Sequence, residues 1–260
     1  MVASTLRART RLGVVHVHST YSRDGRDTLD ALREFALARG LAFVGLTDHA
    51  EDMQAATYAR YVEECAGLSD DAVQLIPGLE FRFAGFTGLH LLALGLDRWI
   101  SPATPDEFIA QTKGGAAFTI VAHPVLAAYR VPPAVATGID AIEIWNASYN
   151  TRYLPDPRAI GLLHMIRRTR SAIVGTAGLD QHDCQNDRET RIELHRSDGD
   201  AMAELKAGRF SNVGRTIRLD AAASMTAVQF GALSVARAVL DGIEHVHERW
   251  ARALAAGAAR

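Results

Sequence analysis

The sequence predicts an α/β protein in which helices cover a mostly parallel β-sheet. Short apolar and β-branched runs alternate with segments whose apolar residues recur at helical spacing. This alternation is typical of βα units, because a parallel strand needs a long connection to return to the same edge of the sheet. With 260 residues, 48% of them hydrophobic, the chain is long enough for one large domain. Such a chain can form a closed barrel or a doubly wound open sheet.

The predicted strands are distributed along most of the chain, and each is a short run bounded by turn or helix residues. The seven strands are Val14–His18, Ala42–Thr47, Val73–Pro77, His90–Gly95, Phe118–Ala122, Ala141–Trp145 and Ala172–Thr176.

The predicted helices lie between and after these strands. In Thr28–Arg39, Leu29, Leu32 and Phe35 share one face, and Gly40 can end the helix. Further helices are expected at Pro105–Lys113, Pro157–Thr169 and Asp200–Ala207, and an alanine-rich helix from about residue 225 to 256. We expect this last helix to pack on a single domain that spans residues 1–260.

Composition argues against several classes of protein. The net charge of −2 is not that of a polyanion-binding protein, so we expect no nucleic-acid duplex as partner. No apolar run has the length of a membrane span, and none follows the arginines of the N-terminus as in a secretory signal. Cys65 and Cys184 are too few for a disulfide scaffold, so we expect free thiols and a cytoplasmic location.

Potential metal ligands collect where the predicted strands begin or end. Imidazole and carboxylate groups at such positions suit Zn, Mn or Fe, and in a barrel the carboxyl ends of the strands meet in one pocket. A single HxH or HP sequence would be weak support, but the ordered series predicts a metal centre. In chain order the series is His16, His18, Asp48, His49, Glu80, His90, His123, Glu143, Asn146, Asp180 and His182.

The remaining histidines are expected to be ordinary surface or half-buried residues: His164, His195, His245 and His247. Cys184 lies two residues beyond His182, and a thiolate ligand there is a minor alternative.

Five motifs together resemble those of the PHP (polymerase and histidinol phosphatase) family of metal-dependent phosphoesterases. They are "HVHSTYSRDG", "FVGLTDHA", "GLE…LHLLALGLD", "VAHP" and "GLDQHD", and the resemblance runs from about Leu12 to Gly208. One departure is that Arg23 separates Ser22 from Asp24, where the family usually has Ser and Asp adjacent. The resemblance implies a distorted (β/α)7 barrel, similar to a TIM barrel, with two or three divalent metal ions.

The resemblance also implies a ligand set, in which Glu80 bridges two metals. Asp48 is expected to orient a histidine, and Glu143 to point away from the metals. The first metal would be held by His16, His18, Glu80 and Asp180, the second by Glu80, His90 and His123, and the third by Asp24, His49 and His182.

The activity implied is hydrolysis of a phosphate ester, either a small phosphomonoester or a phosphodiester. The attacking group would be a hydroxide held between the metals. Asp180 would accept the proton of the water, and His49 or His182 would assist the leaving group. Candidate substrate-binding residues are Arg82, Arg130, Asn146, Arg152 and Arg158.

Two other functions remain open. Relatives of this family hydrolyse carboxylic esters, carbamates or amides on the same metals, and a metal-binding domain without turnover is a third possibility. The only two lysines, Lys113 and Lys206, do not lie at strand ends. A carboxylated lysine bridge, as in related amidohydrolases, is therefore not expected. The sequence does not indicate an oligomeric state.

Overall fold

The structure is a computed structural model that describes residues 11–149, 153–186, 188–196, 199–215 and 217–258, with side chains described up to residue 243. The strands are β1 Leu12–Val17, β2 Phe43–Leu46, β3 Asp48–His49, β4 Gln74–Ile76, β5 Gly78–Arg82, β6 His90–Leu94, β7 Phe118–Ala122, β8 Ala141–Asn146, β9 Val174–Gly178, β10 Arg191–Leu194, β11 Phe210–Val213 and β12 Arg218–Asp220. The α-helices are α1 Leu29–Ala38, α2 Ala55–Leu68, α3 Pro105–Thr112, α4 Pro133–Gly138, α5 Pro157–Arg167, α6 Ala201–Lys206 and α7 Ala227–Ala258.

The strands form two six-stranded sheets. Their orders are β12-β11-β10-β1-β2-β4 and β3-β5-β6-β7-β8-β9. The predicted α/β class is confirmed, whereas a closed barrel is not, because the described strands do not join into one continuous sheet. A parallel bridge between Val17 and Gln181 and a hydrogen bond from the N–H of Leu179 to the carbonyl oxygen of Val15 connect β1 with the segment after β9.

The sheets are mixed, which corrects the prediction of a mostly parallel arrangement. β6 is antiparallel to both β5 and β7, and β1 is antiparallel to β10. Only residues 83–89 connect β5 to β6. That connection is too short for the helical crossover that parallel neighbours need, so the two strands pair as a hairpin.

The sequence interpretation missed several elements, most of which are strands of five residues or fewer. The strands β3, β5, β10, β11 and β12 were not among the seven predicted strands. Neither α2 nor α4 was among the predicted helices, and α2 buries Tyr58, Tyr61 and Cys65 on one face. By contrast, α1 begins where predicted. The side chain of Thr28 accepts a hydrogen bond from the backbone N–H of Ala31, which satisfies one of the unpaired donors of the first turn.

One hydrophobic core joins the two sheets. Val15 and Phe43 of the first sheet belong to the same buried cluster as Leu92 and Phe118 of the second. Phe118 also meets Phe210 edge to face, with ring centroids 6.4 Å apart. Burial of each such side chain contributes roughly 1.5–3 kcal/mol, so this core holds the strand edges that carry the candidate site.

The chain divides into two compact units, residues 1–223 and residues 224–260. The second unit contains the 32-residue helix α7, and the packing of this helix on the domain stays a prediction. None of the described helices has the length and hydrophobicity needed to cross a membrane. Cys65 and Cys184 are free thiols, as predicted.

Candidate metal centre

The predicted ligands come to one edge because of how their strands run. β5 and β7 end at this edge, and β6 begins there because it is antiparallel to both. As a result His90 pairs with Arg82 at the end of β5 and with Ala122 at the end of β7. The reversed strand explains why a histidine at the start of a strand joins residues that lie at the ends of others.

Three of the candidate ligands have unusual backbone conformations. The φ angles of His16, His123 and Asp180 are 64°, 22° and 49°. Positive φ is uncommon for residues other than glycine, and strain of this kind costs of order 1–3 kcal/mol per residue. His16 also lies at a register shift between Val15 and Val17. The direction of its imidazole therefore depends on a bulge as well as on the alternation of side chains along the strand.

The first group of candidate ligands is fully or almost fully buried. Its members are His16, His18, Glu80 and Asp180, whose ligand atoms all lie within 4.8 Å of one another. The Oδ1 atom of Asp180 is 3.3 Å from Nε2 of His16 and 3.1 Å from Nε2 of His18.

The second group shares Glu80 with the first. The Oε1 atom of Glu80 is 2.7 Å from Nδ1 of His90 and 3.2 Å from Nε2 of His123. Its Oε2 atom is 3.6 Å from Nε2 of His18 and 3.1 Å from Nδ1 of His49. Glu80 therefore lies between the groups, where the resemblance implied a bridging carboxylate.

The third group lies at the more open side of the cluster. His18, His49 and His182 have ligand atoms within 4.8 Å of one another. The carboxylate of Asp24 lies 3.3 Å from Nε2 of His49 and 3.4 Å from Nε2 of His182. The extra residue Arg23 thus does not prevent the carboxylate of Asp24 from lying near both histidines, and metal binding by Asp24 stays a prediction.

The donor atoms fit divalent metal ions. The Nε2 atoms of His16 and His18 are buried without a hydrogen-bond partner among the described residues, and both face carboxylates. Leaving buried polar atoms unsatisfied is costly, and a cation between imidazole and carboxylate groups would satisfy them. This mixture of nitrogen and oxygen donors suits Zn, Mn or Fe.

The charges of the cluster favour ionised carboxylates. Burial alone would raise the pKa of Glu80, but its contacts with His123, His16 and His49 lower that pKa well below its usual range. Burial likewise opposes ionisation of Asp180, but His16 and His18 lower its pKa. The pKa of His16 is raised well above 6.5, because Glu143 and Asp180 outweigh the opposing effect of burial.

Glu143 forms hydrogen bonds with two of the candidate ligands, His16 and His123. Its Oε1 atom accepts a hydrogen bond from Nδ1 of His16 at 2.7 Å, and its Oε2 atom accepts one from the backbone N–H of His123 at 2.6 Å. Because Glu143 has a lowered pKa and accepts from Nδ1, the Nε2 atom of His16 is left to face the other ligands.

Asn146 does not have the position expected of a substrate-binding residue. It is fully buried, and its amide donates to Oε2 of Glu143 at 2.9 Å. Its carbonyl oxygen accepts from the backbone N–H groups of Ser148 and Tyr149. Asn146 therefore holds Glu143 and the loop after β8, which corrects the prediction of a substrate contact.

Asp48 contacts two serines that the sequence interpretation did not single out, and one of them also contacts His49. Its carboxylate accepts from Ser19 Oγ at 2.9 Å and from Ser22 Oγ at 2.8 Å. Ser22 Oγ in turn accepts the backbone N–H of His49 at 2.9 Å. Asp48 is thus linked to the backbone of His49 through Ser22, and its role in orienting a histidine stays a prediction.

The arginines predicted to bind substrate differ in whether they lie near the candidate ligands. Arg82 lies at the cluster, with Nη2 3.3 Å from Nε2 of His49. Arg130 and Arg158 are exposed, and Arg158 lies 5.9 Å from the centre of the Tyr129 ring. Arg152 lies outside the described residues.

A cavity of about 340 Å³ opens beside the third group. Its lining includes Asp24, Asp180 and His182, together with Arg26 and Arg188. The sequence interpretation missed both arginines. Arg26 follows the Asp-Gly turn of the first motif, whereas no motif marks Arg188.

The residues expected to lie outside the cluster do so where the structure describes them. His195 pairs with Ser211 Oγ at 3.1 Å, and His164 lies within α5. The side chains of His245 and His247 lie outside the described part of the chain. Burial and the nearby Asp27 raise the pKa of Cys184 to about 12, so its thiol stays protonated at neutral pH.

The sequence matches the family model described as the PHP domain over residues 15–244. No curated protein matches the chain.

Three solved structures share the fold at low sequence identity. One is a two-domain protein from Bacteroides vulgatus, described as containing a predicted PHP-like metal-dependent phosphoesterase, with a TM-score of 0.60 and 18% identity over 80% of this chain. The match spans 66% of that protein, just under two thirds of its length. PsfC from Pseudomonas syringae has a TM-score of 0.56 and 19% identity, over 89% of this chain and 97% of PsfC. Endonuclease Q, in complex with a 27-mer duplex that has an abasic lesion at the active site, has a TM-score of 0.51 and 15% identity, over 76% of this chain and 56% of that protein.

Proposed function

This chain belongs to the PHP domain family, and from that premise we propose that it is a metal-dependent hydrolase of a small phosphate ester. The observation that carries the proposal is the position of Glu80. One buried carboxylate faces five imidazoles, and so connects all three groups of candidate ligands. Those imidazoles belong to His16, His18, His49, His90 and His123.

The proposed metal-binding residues are the eight members of the three groups together with Asp24. His16, His18, Glu80 and Asp180 would hold the first ion, Glu80, His90 and His123 the second, and Asp24, His49 and His182 the third. Divalent ions bound there would lower the pKa of water and neutralise charge that develops on a phosphoryl group.

Asp180 is proposed as both ligand and proton acceptor. Its carboxylate lies among His16, His18 and His182, at the edge of the cavity. Because its pKa is held below the usual range, it is ionised at neutral pH but is a weak base. An ionised carboxylate at this position can accept a proton from a water bound beside it.

His49 is better suited than His182 to assist the leaving group where the third group holds no metal. Burial lowers the pKa of His49, but Glu80 outweighs it, so the net shift is upward. Burial and the charge of His18 lower the pKa of His182. A protonated imidazole can donate a proton to a departing oxygen, and His49 retains that proton to higher pH. Arg82, beside His49, is proposed to bind a phosphoryl oxygen.

The proposal extends to fold and partners. We propose that the two sheets are an opened form of the (β/α)7 barrel, which the bridge between Val17 and Gln181 supports.

A cavity of about 340 Å³ and a net charge of −2 favour a small-molecule substrate over a nucleic-acid duplex. A cytoplasmic location remains part of the same proposal.

The test is a substrate panel with protein reconstituted separately with Zn, Mn or Fe. The panel contains phosphomonoesters, phosphodiesters, carboxylic esters, amides and a duplex with an abasic site. We expect turnover of a phosphate ester, which the chelated protein lacks. Turnover of carboxylic esters or amides alone would favour the alternative hydrolase, and cleavage of the duplex alone would favour a nuclease. Bound metal without turnover of any substrate would favour a metal-binding domain.

A further inference from the structure

We propose that the cavity beside the metal cluster binds a second anionic group of the substrate, through Arg26 and Arg188. The substrate would then be a small phosphate ester that carries a further carboxylate or phosphate. This inference rests on the proposed function, because it assumes that the first phosphate binds at the cluster.

The position of the cavity is suited to the end of the substrate that carries the second anionic group. Its lining includes Asp180 and His182 of the ligand groups, and also both arginines. A molecule in it can therefore contact the cluster and the arginines at once. A volume of about 340 Å³ is at the lower end of the range for small-molecule sites, which is about 300–1,000 Å³.

Arg26 is tied to the cluster by its backbone and retains an accessible side chain. Its N–H donates to the carbonyl oxygen of His182 at 3.0 Å, which holds the first motif against the last. Its guanidinium pairs with Asp183 at 3.2 Å, and 75% of the side chain is exposed. An exposed ion pair of this kind contributes little to stability, so Arg26 can turn towards an anion at little cost.

Arg188 is held by a contact with the loop after β8. Its Nη1 donates to the carbonyl oxygen of Ala147 at 3.1 Å, which places the guanidinium at the loop after β8. Ser148 joins the same loop to the segment before His182, because its Oγ donates to the carbonyl oxygen of Leu179 at 2.9 Å. The position of this guanidinium is therefore built into the fold.

The charges of the lining favour an anion. Asp24 and Asp180 face histidines of the candidate ligand groups, and Asp183 faces Arg26. Guanidinium groups bind carboxylates and phosphates through charge-assisted hydrogen bonds, often two at once. The lining has three aspartates and two arginines, but Asp24 and Asp180 are proposed ligands whose charge bound cations would offset. Arg26 and Arg188 then outnumber Asp183, which favours a second anionic group over a neutral one.

The test compares three phosphonates that the protein cannot hydrolyse. Propylphosphonate carries one anionic group, 3-phosphonopropionate adds a carboxylate, and propane-1,3-bisphosphonate adds a second phosphonate. Isothermal titration calorimetry with the metal-loaded full chain measures the affinity of each. We expect the two ligands that have an anionic group at each end to bind about 10- to 100-fold more tightly than propylphosphonate.

Three variants assign this gain to the arginines. Arg26→Ala and Arg188→Ala should each remove about tenfold or more of the affinity for the two-ended ligands, and should leave propylphosphonate unchanged. Arg188→Lys keeps the charge and should retain part of the gain. Arg98→Ala is the matched control, because Arg98 also forms an exposed ion pair with an aspartate, Asp97, and it is not among the residues that line the cavity.

The outcomes separate this inference from the proposed function. Dependence on the arginines for 3-phosphonopropionate alone would identify a carboxylate, and dependence for the bisphosphonate alone would identify a phosphate. Equal weakening of all three ligands, or no gain from the second group, would overturn the inference. If the arginine-dependent gain is found but no phosphate ester is hydrolysed, the proposed function fails and the anion site stands.

Discussion

At the scale of single residues, Glu80 has the most contacts with the candidate ligands. Both of its oxygens face imidazoles, Oε1 towards His90 and His123 and Oε2 towards His18 and His49. A buried carboxylate can keep so many neighbours close only when positive charge compensates it. In the metal-free chain the imidazole contacts of Glu80 lower its pKa and favour the ionised carboxylate, and bound cations would supply the compensating charge in the loaded protein.

Glu80→Gln should therefore reduce metal content at two sites together. The amide keeps the shape but loses the charge that one carboxylate contributes to both groups. We expect the loss of about one or more metal equivalents by elemental analysis, with a folded protein by circular dichroism. Glu63→Gln, at an exposed position of α2, is the control. Full metal content in Glu80→Gln would exclude the bridging role.

Asp180→Asn separates the two proposed roles of Asp180. The amide oxygen can still coordinate a metal, but it cannot accept a proton. At saturating metal we expect kcat to fall by about 10²- to 10⁴-fold, the range for removal of a general base. Steady-state kinetics with measured metal content checks this result. A variant within about threefold of the parent at full metal loading would leave Asp180 as a ligand only.

Metal affinity should decrease as the pH falls. The pKa of His16 is raised by Glu143 and Asp180 against the effect of burial, so the metal-free protein holds a proton on this imidazole at neutral pH. A metal must displace that proton, and lower pH therefore favours the metal-free form. Calorimetry in buffers with different ionisation enthalpies should detect proton release at neutral pH. Glu143→Gln should reduce the number of protons released, and an unchanged number would contradict this cause.

At the scale of elements, β8 and β9 determine where Glu143 lies. The two strands pair in parallel, with Glu143 opposite Thr176 and Asn146 opposite Gly178. At Gly178 an added Cβ would lie 1.8 Å from Oε1 of Glu143 and 3.2 Å from Cβ of His16. The absence of a side chain there allows Glu143 to reach His16.

Gly178→Ala should therefore displace Glu143 and weaken metal binding. Overpacking of a filled interior costs roughly 1–3 kcal/mol of stability, and we expect both the denaturation midpoint and the metal affinity to decrease. Gly67→Ala in α2 is the control, because an added Cβ there meets no heavy atom within 4 Å. That substitution should stabilise the helix by about 0.5–1 kcal/mol. Unchanged metal affinity in Gly178→Ala would show that Glu143 does not need this contact.

At the scale of the whole molecule, the core between the two sheets holds the strand edges in place. Phe118 on β7 meets Phe210 on β11, and these strands belong to different sheets. Strain at His16, His123 and Asp180 persists only where the surrounding structure compensates for it. The shared core supplies that compensation.

Phe210→Ala should destabilise the metal-free protein by about 3–5 kcal/mol, the usual cost of truncating a buried phenylalanine. Denaturant unfolding followed by fluorescence measures the change. Phe86→Ala removes a partly exposed ring and should cost much less. Equal costs for the two variants would mean that the core does not join the sheets as described.

The sequence by itself determined the α/β class and which residue types meet at the candidate site. Local signals sufficed for these, since the histidines and carboxylates lie in short motifs at strand ends, and α1 lies within the predicted helix Thr28–Arg39. Only the tertiary structure decided that the strands form two sheets and that Glu143 and His16, 127 positions apart, form a hydrogen bond. It also placed Arg26 and Arg188 beside one cavity and buried Asn146. These features depend on contacts between distant segments, and the local spacing of residues carries no information about them.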